Sequence, residues 1–433
     1  MVTKRVLVIG AYGLIGAEIV RAARRQGHDV TGLVRDAALA ERLLPGVSSI
    51  QADIAALLTP DAWRSALTGI EVVVNASGAL QSGLRDDVAR VQDSAIAALI
   101  EACEQYNIST IVQISAPGAV EGASTEFLRS KARADMRLRS SALQWVIFKP
   151  GLVISRTAYG GTALIRALAG FPLVLPIVLP HVRIQTVSVE DVAMAVCAAI
   201  ESSVGANAEY DLVEDEAHSL LDIVREFRRW MGLPHAPVLQ LPQWFGAIAA
   251  GFADGAGWLG WRSPLRSTAL KVLQDDVIGD SEPWKAVSGR SLCSFEETLD
   301  AIPATLQERV FAKVQLLVPL IVLVLSGFFI SSGVIAIGLV DAAAKILDGA
   351  VGAHLSQPLV LGGAILDISL GAAILVRRWT KIAAGLMIAL SIAYLVSGTV
   401  MTPHLWLDPL GPFVKVLPAM CLALCAMLLI EER

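Results

Sequence analysis

Four long apolar stretches in the last third of the chain constrain its fold more than any other feature of the sequence. A helix needs about 20 such residues to cross about 30 Å of hydrocarbon. The stretches are residues 314–340, 358–376, 382–401 and 410–430. The first and third contain no ionisable side chain except the phenol of Tyr394. The sequence therefore predicts an all-α bundle of four transmembrane helices over residues 309–433.

Composition favours a soluble front part ahead of this lipid-facing rear part. Apolar residues make up 55% and charged residues 17% of the 433 residues, against roughly 45–50% and 25% in an average soluble domain. A single core rarely organises a chain of this length, so at least two domains are expected. The net charge is −5 and no Lys/Arg-rich run occurs, which argues against nucleic acid as a partner.

The short link between the second and third apolar stretches is basic, because it holds Arg377, Arg378 and Lys381. By the positive-inside rule this link faces the cytoplasm. Four spans then place the front part on the cytoplasmic side as well, and its scattered cysteines agree with a reducing compartment. We therefore predict a multi-pass protein of a bacterial inner membrane, with the lipid bilayer as its first partner.

Asp367 and Lys415 lie inside predicted spans, where an ionisable side chain is expensive. Counted from the outer surface at about 1.5 Å per residue, Asp367 lies about 13 Å deep and Lys415 about 7 Å deep. The lysine side chain is long enough to reach the carboxylate over that difference. Three alternatives stay open: a structural ion pair, a Lys415 that extends to the headgroups, or a membrane site for a quinone or a proton.

A strand, a glycine turn and a helix open the chain. Residues 4–9 form the strand, and Gly10, Gly13 and Gly16 follow at three-residue intervals. Gly10 permits a tight turn, Gly13 lets the backbone approach a pyrophosphate, and Gly16 lets the helix pack closely on the strand. The amides that begin the helix then hold the phosphates. The predicted binding residues of this turn are Gly10, Tyr12, Gly13, Leu14, Ile15 and Gly16.

Arg35 stands at the end of the second predicted strand, residues 29–34, about 20 residues beyond the glycines. An acidic residue at this place binds the ribose of NAD, whereas a guanidinium suits the 2′-phosphate of NADP. We therefore expect NADP(H) as the preferred cofactor. The alternative is a solvated Arg35, with Asp36 binding the ribose of NAD(H).

Further strand-like runs alternate with helical stretches through the front part. They are residues 49–52, 71–75, 109–114 and 145–148. Alternating βα units predict a doubly wound parallel α/β sheet of the Rossmann type. We assign this domain to residues 1–308. A small substrate lobe is expected within it, at about 151–188 and 205–300.

The residues at the predicted strand ends resemble those of the short-chain dehydrogenase/reductase superfamily, in its atypical group with GxxGxxG glycine spacing. The resemblance covers roughly the first 300 residues of the chain. Besides the glycine turn and Arg35, it rests on Asp53, Ile54, Ala76, Ser77, Gly78, Ser115, Lys131 and Pro150. The resemblance implies that Asp53 contacts adenine, that the residues around Gly78 line the cofactor, and that Ser115 and Lys131 are catalytic.

One position of the implied catalytic set departs from the family. The family's tyrosine lies four residues before the lysine, and here that residue is Phe127, which cannot exchange a proton. Lys131 would then hold only the nicotinamide ribose, unless another donor replaces the phenol. Tyr159, in the loop toward the substrate lobe, is the candidate substitute; otherwise it is a packing residue. No metal site is predicted, because the six histidines lack ligand spacing.

The rear of the chain, from about residue 309, resembles the DoxX-like four-helix membrane family, notably at residues 406–412. Members of that family are associated with electron transfer or quinones. The front part also looks similar to the nucleotide-binding accessory subunit of respiratory complex I. These resemblances imply cofactor binding beside a membrane without fixing the reaction.

Three functions follow as hypotheses. The first is a membrane-tethered NAD(P)(H)-binding oxidoreductase that acts on a small apolar or quinone-like substrate. The second is a non-catalytic NADPH-binding structural subunit or redox sensor of a membrane protein complex, which Phe127 favours. The third is an NAD-dependent epimerase or dehydratase, although that chemistry also normally needs the missing tyrosine.

Overall fold

The structure, a computed structural model, describes residues 2–78, 88–261, 263, 265–409 and 411–430. The chain divides into two compact units. The first, called the front unit, is Met1–Asp254 with Pro264–Arg309. The second, called the helical unit, is Gly255–Ser263 with Val310–Arg433.

Strands and helices alternate through residues 5–150, and further strands and helices follow up to residue 300. The strands are β1 Arg5–Ile9, β2 Asp29–Val34, β3 Ser48–Gln51, β4 Val72–Asn75, β5 Thr110–Ile114, β6 Gln144–Pro150, β7 Leu152–Ile154, β8 Leu175–Ile177, β9 Arg183–Ile184, β10 Thr186–Ser188, β11 Ala208–Leu212, β12 His218–Ser219 and β13 Val238–Gln240. The helices are α1 Leu14–Arg25, α2 Ala37–Leu43, α3 Pro60–Leu67, α4 Ala95–Gln105, α5 Glu126–Arg139, α6 Gly161–Ala169, α7 Val189–Ile200, α8 Leu220–Trp230, α9 Gln243–Trp258, α10 Ser267–Gln274, α11 Glu282–Ser288 and α12 Phe295–Asp300.

Seven strands form one sheet in the order β11-β6-β5-β4-β1-β2-β3. All of its neighbouring strands are parallel. The strand order reverses beside β1, where Val8 lies opposite Gly32 of β2 on one side and Val74 of β4 on the other. The predicted doubly wound α/β fold is confirmed.

The sheet is covered on both faces, because a parallel sheet joined by helical crossovers carries helices on each side. Val6, Leu7, Val8 and Ile9 of β1 are fully buried. Alternation along the strand sends Val6 and Val8 into a cluster with α1 and α7, whereas Leu7 and Ile9 pack with α3 and α4. Each such side chain contributes about 1.5–3 kcal/mol of burial free energy.

Three two-stranded pairings, β10 with β7, β12 with β9 and β13 with β8, lie outside the seven-stranded sheet, and we call this part of the front unit the small lobe. Glu214, which is buried, ties this lobe together. Its carboxylate accepts hydrogen bonds from the amide and hydroxyl of Thr186 at 2.8 and 2.6 Å and from the amide of Phe295 at 2.7 Å. A buried carboxylate with this many donors is satisfied, so we read Glu214 as structural.

Five helices follow the lobe. They are α13 Leu306–Gly338, α14 Val340–Val351, α15 Ala353–Ala373, α16 Thr380–Met401 and α17 Val416–Leu429. Within the described residues, α13, α15 and α16 are long and apolar enough to cross a membrane. They correspond to the first three predicted spans. The helical unit therefore indicates a membrane protein, by length and composition.

Within the fourth predicted span, residues 410–430, the structure has a helix shorter than the predicted span. Its helix is α17, which has 14 residues and is about 21 Å long. Leu410 lies outside the described residues. Gly411 has a φ of +57°, and the next residue is Pro412, which has no amide hydrogen to donate to a helix. The apolar run therefore begins in a turn rather than in a helix.

Small residues let the long helices approach closely. A Cβ on Gly333 of α13 would lie 2.5 Å from the carbonyl oxygen of Ala364 on α15. Near the other end of α15, the hydroxyl of Ser326 donates a hydrogen bond to the carbonyl oxygen of Gly371 at 2.7 Å. Such contacts replace the hydrophobic driving force that lipid cannot supply between helices.

Candidate functional site

The carboxyl edge of the seven-stranded sheet gathers the predicted cofactor residues. Across the sheet, the strand ends carry Pro150, Ser115, Ala76, Ser77, Gly78, Gly10, Arg35 and Asp53, in that order. Open α/β sheets bind ligands at this edge, beside the point where the strand order reverses. The fold thus brings together residues that are far apart in sequence.

The glycine turn between β1 and α1 has room only for glycine at two positions. Gly10 has a φ of +76°, and a Cβ there would lie 3.0 Å from the carbonyl oxygen of Ala76. A Cβ on Gly16 would lie 2.2 Å from the carbonyl oxygen of Gly10. Beside this turn, the first amides of α1 have no intrahelical acceptor. The backbone cradle therefore fits the pyrophosphate of a dinucleotide.

The side chains within the turn hold it against the core. Tyr12 and Ile15 are half-buried and pack on the cluster between the sheet and α1. Gly13 caps α1 without a side chain, and Leu14 is the first helical residue. The turn is therefore fixed by packing before any ligand binds.

Of the charged residues that follow β2 and β3, Arg35 is exposed, whereas Asp36 and Asp53 cap helical turns. Arg35 is exposed directly after β2. The carboxylate of Asp36 accepts a hydrogen bond from the amide of Leu39 at 2.9 Å and caps α2. Asp53 caps the short helical turn Ile54–Ala56 through the amide of Ala55 at 3.1 Å. The cap uses one carboxylate oxygen of Asp36, so the alternative in which Asp36 binds a ribose stays open.

Buried amides fix the chain after β4. The Nδ2 of Asn75 donates to the Oε1 of Gln113 on β5 at 2.8 Å, and the Oδ1 of Asn75 accepts from the amide of Ser77 at 3.1 Å. Ser77 and Gly78 are thereby held where a cofactor would pass. The importance of Gln113 was missed by the sequence reasoning, because a lone glutamine on a strand gives no signal.

Lys131 lies among the residues of this edge with its ammonium group almost fully buried. Its Nζ donates to the carbonyl oxygen of Ile114 at 2.7 Å and lies 5.8 Å from the centre of the Phe127 ring. It would also lie 3.8 Å from a Cβ on Gly78. Burial lowers the pKa of Lys131 to about 8, although the charge of Asp135 acts in the opposite direction.

The hydroxyl of Ser115, at the end of β5, donates to the carboxylate of Asp135 on α5. Both side chains are buried, and the other carboxylate oxygen of Asp135 has no hydrogen-bond partner within the described residues. Burial raises the pKa of Asp135, and the hydrogen bond from Ser115 and the nearby charge of Lys131 partly oppose that rise. Asp135 was missed, since a lysine and an aspartate four residues apart usually indicate a surface ion pair.

Two further predicted residues have plain structural surroundings. Tyr159 lies before α6 with 54% of its surface exposed. Only its backbone takes part in hydrogen bonds, all of them with Thr162, within the part of the chain that the structure describes. Pro150 is the last residue of β6 and lies opposite Leu212 of β11. The structure therefore gives Tyr159 no hydrogen-bonded link to Lys131 or Ser115.

In the helical unit, the hydrogen-bond partners of Asp367 are hydroxyl groups rather than Lys415. Its carboxylate accepts hydrogen bonds from the hydroxyl of Ser332 at 3.0 Å and from that of Tyr394 at 3.2 Å. Lys415 forms no ion pair with it among the described residues and lies immediately before α17. Three helices, α13, α15 and α16, thus converge on one buried carboxylate.

Comparisons with known proteins agree with both units. Residues 10–203 match the NAD(P)H-binding family model, and residues 326–424 match the DoxX-like family model. A 3-diazoavenalumate denitrifying reductase of Streptomyces is 30% identical over 316 residues, which cover 65% of this chain and 95% of that reductase. The photosystem II assembly factor Ycf39 of Cyanophora paradoxa is 31% identical over 145 residues, 33% of this chain. The chain spans 44% of the length of that assembly factor.

Solved structures share the fold at low sequence identity. The NADPH-dependent quinone oxidoreductase of Escherichia coli, complexed with NADPH, superposes with a TM-score of 0.53 at 19% identity. That match covers 68% of this chain and 99% of the other. The UDP-glucose 4-epimerase of Thermus thermophilus, complexed with NAD, gives 0.52 at 21% identity and covers 69% and 97% of the two chains.

Proposed function

We propose, because this chain belongs to the NAD(P)H-binding, short-chain dehydrogenase/reductase-type family and carries a DoxX-like domain, that it is a membrane-tethered oxidoreductase. Its substrate would be a small apolar or quinone-like acceptor. The family membership supports cofactor binding. The choice of reaction rests on the residues beside Lys131.

The observation that carries the proposal is the position of Lys131 beside Phe127. The ammonium group is buried next to a phenyl ring, and its pKa is lowered to about 8. A buried amine with a pKa near working pH can give up a proton readily. Phe127 has no proton to offer, so Lys131 is the proton donor that we assign to this site.

A quinone-like acceptor suits this arrangement better than a sugar or an alcohol. When bound, the nicotinamide supplies a hydride. Reduction of a quinone to a hydroquinone takes one hydride and one proton, and Lys131 supplies that proton from Nζ before it is reprotonated by solvent. Ser115 lies at the same edge, where its hydroxyl donates its proton to Asp135, so Lys131 is the proton donor that the acceptor would meet.

We assign NADP(H) as the preferred cofactor and NAD(H) as the weaker one. Arg35 directly follows β2, at a position where a basic residue suits a 2′-phosphate, and this supports the preference. The E. coli quinone oxidoreductase with the same fold is complexed with NADPH, whereas the epimerase is complexed with NAD. The preference therefore rests on Arg35.

The test is cofactor turnover by the full chain in nanodiscs. NADPH oxidation is followed by absorbance with a soluble benzoquinone, with a short aldehyde and without acceptor, beside NADPH binding by calorimetry. Quinone-dependent oxidation that Lys131→Met abolishes, while NADPH still binds, is the expected result. If the protein binds NADPH but no acceptor causes NADPH to be oxidised, the proposal that it is an oxidoreductase is refuted.

That refuting result would favour the second candidate, a non-catalytic NADPH-binding subunit or redox sensor of a membrane protein complex. Phe127 supports it, because the residue removes the usual proton donor while the nucleotide cradle stays intact. The relatives named as photosystem II assembly factors also point to a role in a protein complex.

For the membrane, we propose a bacterial inner membrane with the front unit on the cytoplasmic side. Arg377 and Arg378 between α15 and α16, with Lys381 in the first turn of α16, support this orientation through the positive-inside rule. We also keep Asp367, rather than Lys415, as the candidate membrane site, since two hydroxyls converge on it. Protease access to inside-out and right-side-out vesicles tests the orientation.

A further inference from the structure

Helix α9 exposes a stripe of large apolar side chains along one face. Trp244 is 63% exposed, Phe252 78% and Trp258 70%. Phe245 and Ile248 belong to the same stripe and are also exposed. At about 100° per residue, the five side chains fall within an arc of about 140°. A soluble protein rarely leaves such a contiguous aromatic surface uncovered.

The part of α9 that belongs to the front unit, up to Asp254, packs on that unit through a different face. Gly246, Ala250 and Ala253, on the opposite side, are buried. A Cβ on Gly246 would lie 3.1 Å from the side chain of Val178, so this face is already filled by close contact. The aromatic stripe is therefore a second apolar surface that folding leaves open.

The stripe carries no charge that would oppose an apolar partner. Asp254 is the single charged residue of α9, and its carboxylate pairs with Arg266 at 3.0 Å. Burial would raise the pKa of Asp254, but the hydrogen bonds from Ser267 and Arg266 outweigh it and the net shift is downward. The one charge is thus neutralised within the protein, at the side of the stripe.

The chain that continues from α9 is part of the helical unit. The indole nitrogen of Trp261 donates to the carbonyl oxygen of Leu375 at 2.6 Å, just beyond the end of α15. The amide of Arg377 donates to the carbonyl oxygen of Leu259 at 2.9 Å, and its guanidinium lies 5.3 Å from the centre of the Trp261 ring. The segment that follows α9 is therefore bound to the end of an apolar helix long enough to span a membrane.

From this continuity we propose that α9 is an interfacial helix whose aromatic stripe inserts into the lipid headgroup region of the same bilayer. Tryptophans are enriched at that depth, because the indole is apolar along its body and polar at its nitrogen. The basic residues Arg377, Arg378 and Lys381 follow shortly after Leu375, which Trp261 contacts, and they favour anionic headgroups. The helix thus contacts the membrane surface through its aromatic stripe, whichever reaction the front unit performs.

The experiment measures lipid contact at one position of the stripe and at one control position. Phe252→Cys and, on α7, the exposed Met194→Cys are made in a background of Cys293→Ser, Cys421→Ala and Cys425→Ala. Each variant is labelled with an environment-sensitive nitrobenzoxadiazole dye. The full chains are placed in nanodiscs of equal amounts of phosphatidylcholine and phosphatidylglycerol, with or without lipids that carry a doxyl quencher near the headgroup.

The dye at position 252 is expected to emit at shorter wavelength and to lose most of its emission to the doxyl lipids, while the dye at 194 is unaffected. A dye at 252 that is shifted but not quenched would mean that protein, including a second copy, covers the stripe. Emission typical of water at both positions would mean that nothing covers it. Either of these results overturns the proposal.

A second measurement uses unlabelled protein and does not depend on the cysteine variants. Brominated lipids should quench part of the tryptophan emission of the wild-type chain. The amount of emission lost to the brominated lipids should fall in Trp244→Tyr/Trp258→Tyr. It should stay the same in Trp63→Phe, whose indole is fully buried in the front unit. An equal loss of emission to the brominated lipids in wild type and in the double variant would also overturn the proposal.

Discussion

The hydroxyl of Ser115 donates a hydrogen bond to the carboxylate of Asp135, which lies one helical turn beyond Lys131 on α5. The three side chains are buried together at the carboxyl edge of the sheet. A buried carboxylate costs folding free energy unless it is well paired. Asp135 keeps one oxygen without a partner among the described residues, so its cost is only partly offset.

Asp135→Asn should therefore stabilise the front unit at neutral pH. Burial raises the pKa of Asp135 in the folded state, so the unfolded chain loses its proton at lower pH than the folded one. The stability that this group contributes is complete below the unfolded pKa and is lost as pH rises through the folded pKa. We expect the variant to melt a few degrees higher at pH 7, and the gap to close toward pH 4.

Glu209→Gln is the matched control with the opposite sign. Its hydrogen bond with Arg139 is the main reason that the pKa of Glu209 is lowered to about 2. That stability is present above the unfolded pKa and is lost as pH falls through about 2. The control should melt lower than wild type at pH 7. Melting curves of both variants that move in the same direction would contradict the assignment to Asp135.

The pH dependence of turnover should follow Lys131. If its ammonium group donates the proton, quinone-dependent NADPH oxidation should be highest below pH 8 and should fall as pH rises through the pKa of about 8. Lys131→Arg keeps its charge over this range and serves as the control. A decline of the same shape in wild type and Lys131→Arg would show that Lys131 is not the donor.

Phe127→Tyr should restore the proton donor that the family usually has at this position. Lys131 lies 5.8 Å from the centre of the Phe127 ring, so a phenol there would lie close to the ammonium group. We expect aldehyde-dependent NADPH oxidation to rise by roughly a hundredfold, the range of one general acid. Steady-state rates measure the effect, with Phe127→Leu as the control for packing. No gain by the tyrosine variant would place the reacting centre elsewhere.

Arg35→Ala should change the choice of cofactor. The guanidinium would bind the 2′-phosphate that only NADP(H) carries, so its loss should weaken NADPH binding by roughly 1.5–3 kcal/mol, about tenfold to a hundredfold. NADH binding should hardly change. Calorimetric titration with both nucleotides decides the question. If binding of NADPH and binding of NADH weaken by similar amounts, Arg35 does not bind the 2′-phosphate.

The sequence was sufficient where a local pattern dictates the backbone. Gly10 and Gly16 could be placed because no other residue fits their turn, and the first three apolar spans because lipid demands long helices. Asp135 could not be found, since its burial depends on α5 packing against β5. The length of α17 was missed, because apolar residues before Val416 look alike in a turn and in a helix. The partners of Asp367 needed the packing of three helices.

The cysteines of the front unit bear on how the protein could sense its surroundings. Burial raises the pKa of the Cys197 thiol to about 12, that of Cys293 to about 11 and that of Cys103 further still. Oxidants react with thiolates, so these thiols are chemically quiet at physiological pH. Redox information would therefore enter the front unit through the ratio of oxidised to reduced nucleotide. The front unit would then respond to the metabolic supply of electrons rather than to oxidation of these three thiols.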